Sequence, residues 1–329
     1  MRLIDRLKPY ISNLILIWLA VYIYRHVSYY SGFLSQQTQE IIFYFAISYS
    51  VFGFLFYLFM PSKRIPQSKG LILFMSLNKV LGSFPKSKFE KHEKVALLFI
   101  IVKFFFFPIM LNFFLNNYFA VKNSVNGLPN FASLFSIDVF NSLLYPFLLT
   151  LIFMIDTLWF CFGYAFEAGI LENNVRSVEP TFIGWVVTLI CYPPFNSFYG
   201  KHIEWYANDY IDFSTATITF IARIFIILLL IIYVSATLAL GTKCSNLTNR
   251  GIVSRGPYRF IRHPAYTGKV FSWWITLIPV MNIFAFLSMF SWSCIYYLRA
   301  ITEERHLIQD PEYVEYCKKV KYRFIPGIV

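Results

Sequence analysis

The chain has 329 residues, of which 57% are hydrophobic, 21% aromatic and only 14% charged, with a formal net charge of +12 and a mean hydropathy of +0.56. A soluble globule of this length cannot hide so much apolar surface, and its 38 Phe and 23 Tyr exclude a disordered chain. Five cysteines scattered through apolar runs, without CxxC spacing, exclude a secreted disulfide scaffold.

A helix that spans a bilayer needs about 20 mostly apolar residues. In chain order such stretches run from Pro9 to Tyr30, Ile41 to Met60, Val95 to Ala120, Val139 to Phe166, Thr181 to Gly200, and Ser214 to Gly241. Leu71 to Phe84 is apolar but short and holds Lys79, which predicts a helix lying at the membrane surface. The last apolar stretch, Thr267 to Ala300, is too long for one span and carries Pro279 and Asn282 in its middle. Proline breaks a helix, so this stretch predicts a hairpin with a short first arm and a longer second arm. The fold class is therefore an all-α, polytopic integral membrane protein with about eight membrane helices, including a C-terminal helical hairpin. The first span has a basic leader, Arg2, Arg6 and Lys8, but no small-residue cleavage site, so it reads as an uncleaved anchor. There is no internal repeat, and the inverted-repeat plan of many transporters is not expected.

Basic residues orient this model. With both termini cytoplasmic, 24 of the 29 Lys and Arg fall on the inner side, against Arg25, Lys122 and Lys201 outside and Lys103 and Arg223 within spans. The positive charge flanks apolar spans and no groove-reading motif accompanies it. Anionic lipid headgroups explain it, and nucleic acid is not an expected partner. Lys103 and Asp156 lie within neighbouring spans at similar depths, about 12 and 15 Å at 1.5 Å per residue, and a structural ion pair is the expected reading. Arg223 is expected to reach the outer face or to pair elsewhere.

Polar residues become dense after Gly241. Gly251-Ile-Val-Ser-Arg-Gly-Pro-Tyr-Arg-Phe-Ile-Arg-His-Pro-Ala-Tyr-Thr-Gly268 precedes the hairpin, with Pro264 suited to the first helical position and His263 just ahead of it. Orphan N–H groups at that helix start would face whatever binds there. The long arm ends in Arg299-Ala-Ile-Thr-Glu-Glu-Arg-His306, where Arg299 and Glu303 are four apart on one face. Asp310-Pro311 then stops the helix and an amphipathic segment follows to Val320. Alone, these features also fit a basic membrane anchor and a solvated salt bridge. A hairpin, however, returns Glu303 and Glu304 to the level of His263. Neither His263 nor Glu304 lies in an apolar stripe, so the loss of either is expected to cost little stability.

Gly256-Pro257-Tyr258, Arg262-His263-Pro264, Tyr266 and Gly268, followed by Arg299 and Glu303-Glu304, resemble the bipartite C-terminal signature of membrane methyltransferases. That superfamily includes isoprenylcysteine carboxyl methyltransferases and phospholipid N-methyltransferases, and the resemblance covers about residues 241 to 326. It implies an S-adenosylmethionine-dependent enzyme acting on a membrane lipid or lipid-modified acceptor, by carboxyl O-methylation or amine N-methylation. It implies cofactor binding by Tyr258, Arg262, His263, Pro264, Tyr266, Gly268, Glu303 and Glu304, and catalysis by Arg299 and Glu303, with Arg299 orienting an acidic acceptor. No metal is expected. The family often continues Phe-Gly-x-x-Tyr, where this chain has Asp310-Pro311-Glu312-Tyr313 and keeps the tyrosine. Membrane sterol and fatty-acyl reductases that use NADPH share a related turn, Arg-His-Pro-Asn-Tyr-x-Gly-Glu. Here Ala265 and Lys269 replace the Asn and Glu. A non-catalytic lipid-binding protein is the third reading. The expected organisation is an N-terminal transmembrane region, 1–240, and a methyltransferase-like region, 241–329. The expected location is a bacterial cytoplasmic membrane, with the cofactor site on the cytoplasmic side.

Overall fold

The computed structural model describes residues 3–61, 68–83, 88–125 and 136–328. Arg2, Lys63, Arg64 and Lys86, counted above on the inner side, lie outside the described residues. Among the described residues the chain is helical, with two strands of two residues each, Ser177–Val178 and Thr248–Asn249. It forms two compact units, one made of Met1–Asn112 with Val175–Val178 and one of Phe113–Asn174 with Glu179–Val329.

The first unit holds α1 (Leu3–His26), α2 (Ser28–Phe33), α3 (Gln36–Phe59), α4 (Lys69–Ser83) and the start of α5 (Lys91–Val125). Its core is Val21, Tyr24, Leu34, Ile42 and Ala46. Ser35 caps α3 by accepting from the Thr38 amide, and Asn112 of α5 accepts from the Ser35 amide and the Thr38 hydroxyl, each at 2.8 Å. These bonds satisfy donors that an apolar surrounding would leave costly. The short helix expected from Leu71 is present as α4, with Phe84 outside the described residues.

The second unit positions the C-terminal motifs. It contains α6 (Ile137–Val139), which continues through a π turn at Phe140–Leu144 into α7 (Tyr145–Ala165), then α8 (Phe182–Leu189), α9 (Phe195–Gly200), α10 (Ala216–Leu240), α11 (Pro264–Leu277), α12 (Ile283–Leu307) and α13 (Pro311–Lys319). Helices α7 and α10 pack through Leu149, Ile152, Ile226, Leu230 and Tyr233. They run parallel. Asn141 meets the Ala216 carbonyl at one end, Asp156 meets Tyr233 and Thr237 midway, and Tyr164 meets the Asn246 amide at the other. A parallel pair requires the chain between them to travel back the full depth of the bundle.

That return is the Thr181–Gly200 stretch, and it differs from the expected single span. Pro193 and Pro194 interrupt it, because proline lacks an N–H and drives the preceding residue, Tyr192, out of helical geometry. The result is two short helices, α8 and α9, joined by a turn. The segment nevertheless tracks α12 in antiparallel order. Glu179 meets Arg305, Tyr192 meets Arg299, Tyr199 meets Ser291, and Ser288 donates to the Glu204 carbonyl. From residue 288 to 305 of α12 is about 26 Å at 1.5 Å per residue.

Six described helices are long and apolar enough to cross a membrane: Ile4–His26, Gln36–Phe59, Lys91–Val125, Ile137–Ala165, Ala216–Lys243 and Ile283–Leu307. The C-terminal hairpin has the expected unequal arms. α11 has 14 residues and α12 has 25, with Pro279 in the turn. Asn282 caps α12 by accepting from the amides of Phe284 and Ala285, both at 2.9 Å, an arrangement worth about 1 kcal/mol.

Two of the three charges in apolar stretches, Asp156 and Arg223, are met within the second unit. Asp156 accepts from Tyr233 at 2.5 Å and Thr237 at 2.6 Å, both on α10. Arg223 is buried and donates to the carbonyls of Asn141, Tyr210 and Ile211 and to Asp212 at 3.0 Å.

Gly268 is where α11 approaches α10 most closely: an added Cβ would lie 2.5 Å from the Leu229 carbonyl oxygen and 3.1 Å from the Tyr233 nitrogen. Gly268→Ala is expected to force the helices apart and cost about 1–3 kcal/mol, read as a lower thermal midpoint. Gly82→Ala, which meets nothing within 4 Å, should leave the midpoint unchanged or slightly raised. Equal behaviour of the two variants would contradict this packing.

Candidate functional site

The hairpin brings the two halves of the motif together at its open end. Pro264 occupies the first position of α11, and His263 is the residue before it. In the last turn and a half of α12, Glu303 and Glu304 face the Arg-His-Pro turn. Glu304 is buried and its carboxylate gathers three groups. His263 Nε2 is 3.1 Å from Oε1, while Arg262 and Arg323 donate to Oε2 at 3.2 and 2.9 Å. Its neighbour Glu303 is exposed and accepts from the Tyr266 hydroxyl at 2.7 Å through one oxygen.

Aromatic rings complete the cluster. His263 and Tyr266 stack at 5.4 Å with planes 7° apart, and the Phe324 ring lies 5.6 Å from the imidazole, tilted by 32°. Tyr258 packs on α13 beside Tyr313 and Tyr316, and its carbonyl accepts from the Tyr316 hydroxyl at 2.7 Å. Burial pushes the Tyr258 hydroxyl well above its ordinary range, and the nearby Glu303 charge adds to that. Asp310 caps α13 by accepting from the Glu312 amide at 3.0 Å and also holds Asn249 at 2.8 Å.

The C-terminal tail is part of the site, which the motif gave no reason to expect. The amides of Arg262 and His263 donate to the carbonyls of Tyr322 and Arg323 at 3.0 and 2.9 Å, and the Thr267 hydroxyl donates to the Phe324 carbonyl at 3.1 Å. The tail thus lies along the Arg-His-Pro turn and delivers Arg323 and Phe324.

Arg262, His263, Tyr266, Glu303 and Glu304 converge directly, with Pro264 beneath them and Tyr258 adjoining. Two motif residues stand apart. Gly268 serves the α10 contact described above. Arg299 makes no intrahelical salt bridge with Glu303; it is buried one turn deeper, donating to Asn246 Oδ1 at 2.5 Å. The rings of Tyr192, Tyr266 and Tyr296 surround it at 5.6, 5.2 and 5.9 Å. Trp273 is also interior, packed on Trp205 and Tyr296 at 4.8 and 5.3 Å. An apolar cavity of about 270 Å³ adjoins the cluster, lined by Tyr266, Val270, Phe271, Tyr296, Tyr297 and Phe324 among others.

Comparison with protein-family models matches residues 213–310 to the family described as phospholipid methyltransferase. The matched segment begins just before α10 and ends at the cap of α13, so it contains the whole hairpin and both motif halves. The match makes this segment similar to that family, and the six long apolar helices mark an integral membrane protein. No curated protein and no solved structure matches the chain. Among the described residues no group of three or more His, Cys, Asp or Glu is placed to hold a metal ion.

The geometry reverses the expectation that Glu304 is dispensable for stability. Removing it strands a buried imidazole and two guanidinium groups, and breaking a buried ionic cluster costs several kcal/mol. Glu304→Ala is expected to lose about 2–4 kcal/mol, whereas Glu315→Ala, which breaks an exposed pair with Lys318 at 2.6 Å, should lose less than about 1 kcal/mol. Thermal unfolding in detergent checks this; an unchanged midpoint for Glu304→Ala would contradict the cluster.

Proposed function

We propose that this domain is an S-adenosylmethionine-dependent methyltransferase site acting on a lipid or lipid-modified acceptor, with the site in 241–329 and on the cytoplasmic side. The observation that carries the reading is the junction of Tyr266 with Glu303 and of His263 with Glu304, which joins the two motif halves in one cluster.

The residues fit the cofactor chemically. One Glu303 oxygen is committed to Tyr266 and the other is available to accept from a ribose or amino group. The exposed Glu303 carboxylate suits a cation, and the edge of the stacked His263–Tyr266 pair borders it. Glu304 acts through its neighbours, fixing the imidazole and the two arginines. Tyr258 and Arg262 adjoin the same cluster. Bound S-adenosylmethionine supplies an electrophilic methyl group, so the chain's task is to align the acceptor and exclude water.

An amine acceptor must lose a proton before it attacks, and exposed Glu303 is placed to take it. A carboxylate acceptor needs no base and is oriented by Arg299. The apolar cavity supports lateral access, because Phe271 and Tyr297 at its rim are exposed on the hairpin face while Tyr266 and Phe324 belong to the charged cluster. The inward placement supports itself on the basic-residue asymmetry.

Calorimetry on the purified protein is expected to show binding of S-adenosylmethionine and none of NADPH. Glu303→Gln, which keeps size and hydrogen bonding but removes charge, should weaken that binding about tenfold, equivalent to about 1.4 kcal/mol. NADPH binding in place of S-adenosylmethionine would support a reductase, and binding of neither would support a non-catalytic role.

A further inference from the structure

Residues 303 to 306 of α12 are gripped by two different parts of the chain. Glu303 and Glu304 meet Tyr266 and the Arg-His-Pro turn, while Arg305 and His306 meet Glu179 at the start of the return segment. Successive helical residues point about 100° apart, so these contacts hold the helix from more than one side.

Glu179 is only 2% exposed, and its backbone is fixed at both ends. Its amide donates to the Leu247 carbonyl at 2.7 Å, and its carbonyl accepts from the Trp185 indole at 2.8 Å. Oε1 accepts from the Thr181 amide at 3.0 Å, from the Thr181 hydroxyl, and from Arg305 at 3.2 Å. Arg305 also donates to that hydroxyl. Oε2 is buried with no hydrogen-bond partner among the described residues and lies 4.0 Å from His306 Nδ1. α8 is notched to admit the carboxylate: a Cβ on Gly184 would fall 2.5 Å from Glu179 Cδ and 2.8 Å from Oε1.

A carboxylate buried this fully is costly, and an apolar contact of the same shape often stabilises a fold as well or better. Apolar contact is non-directional, however, whereas charge-assisted hydrogen bonds fix direction. Glu304 by itself leaves α12 free to turn about its contact with the Arg-His-Pro turn. A second directional grip, on Arg305 and His306, removes that freedom. Glu303 is exposed, so where its carboxylate sits follows from the set of the helix beneath it.

We propose that Glu179 is a positioning residue for Glu303, locking the end of α12 through Arg305 and His306, so that the site's affinity depends on a carboxylate that does not touch the ligand. The choice of S-adenosylmethionine as probe rests on the methyltransferase reading. The full chain in non-ionic detergent is titrated with it in four forms: wild type, Glu179→Gln, Glu303→Gln and the double variant. Glu179→Gln keeps the shape and removes the charge. It should weaken binding about fivefold when Glu303 is present and less than about twofold when Glu303 is already Gln, because a residue acting through another loses its effect once that other is gone. Gly184→Ala, which pushes the carboxylate from its notch, should show the same dependence on Glu303, and it stands in if Glu179→Gln fails to fold. An equal loss in both backgrounds marks a merely structural contact and overturns the proposal. So does an unchanged affinity in Glu179→Gln. If the wild type binds no S-adenosylmethionine, the methyltransferase reading falls and the clamp is judged without it, by the rate at which a water-soluble carbodiimide modifies the Glu303 carboxyl. A changed rate in Glu179→Gln supports the clamp, and an unchanged rate overturns it.

Discussion

One carboxylate, that of Glu304, ties together three stretches of chain that are distant in sequence. A buried carboxylate is tolerable only with its lone pairs filled, and here Arg262, His263 and Arg323 fill them. The consequence is geometric. The Arg-His-Pro turn is pinned to the end of α12, the tail is pinned to the turn, and His263 is held flat against Tyr266. Glu303, the next residue along, is left facing outward with an oxygen to spare. The Glu-Glu pair thus puts one carboxylate in a buried cluster and leaves the other at the surface.

Much of this site was legible in the residues themselves. Pro264 at a helix start, Pro279 and Asn282 at a hairpin turn, and Asp310-Pro311 at a helix boundary are local signals, and each element forms where they indicate. The hairpin then makes convergence of His263 with Glu304 nearly unavoidable. What escaped sequence reading depends on contacts between residues far apart. Arg323 and Phe324 follow an unremarkable amphipathic helix, and only the fold lays them along residues 262 and 263. Thr181–Gly200 has the hydropathy of a span, but hydropathy is blind to the Pro-Pro step that divides it. The stability role of Glu304 was underestimated because a charged helix end looks solvated until its partners are in place.

The broken return segment has its own part in the site. A continuous helix would present a regular face to α12, whereas the turn after α8 places Tyr192 against Arg299. The ring cage therefore draws Tyr192 from before Gly241, Tyr266 from the motif turn and Tyr296 from the long arm. Glu179, at the start of the same segment, holds Arg305 at 3.2 Å and so fixes the register of α12 next to Glu303 and Glu304. The family match stops at residue 310, yet the charged cluster is completed by Arg323 beyond it and the cage by Tyr192 before it. The matched segment contains the hairpin, and residues on both sides of it complete the charged cluster and the ring cage.

The central claim is that the hairpin's open end transfers a methyl group to a molecule drawn from the bilayer. The most direct test incubates the purified protein, reconstituted in membranes of mixed lipid, with methyl-labelled S-adenosylmethionine and sorts the label afterwards. Label appearing in the lipid or lipid-modified fraction, and falling at least tenfold with Glu303→Gln, is the predicted result. Label confined to water-soluble acceptors, or absent while NADPH is consumed, would contradict it.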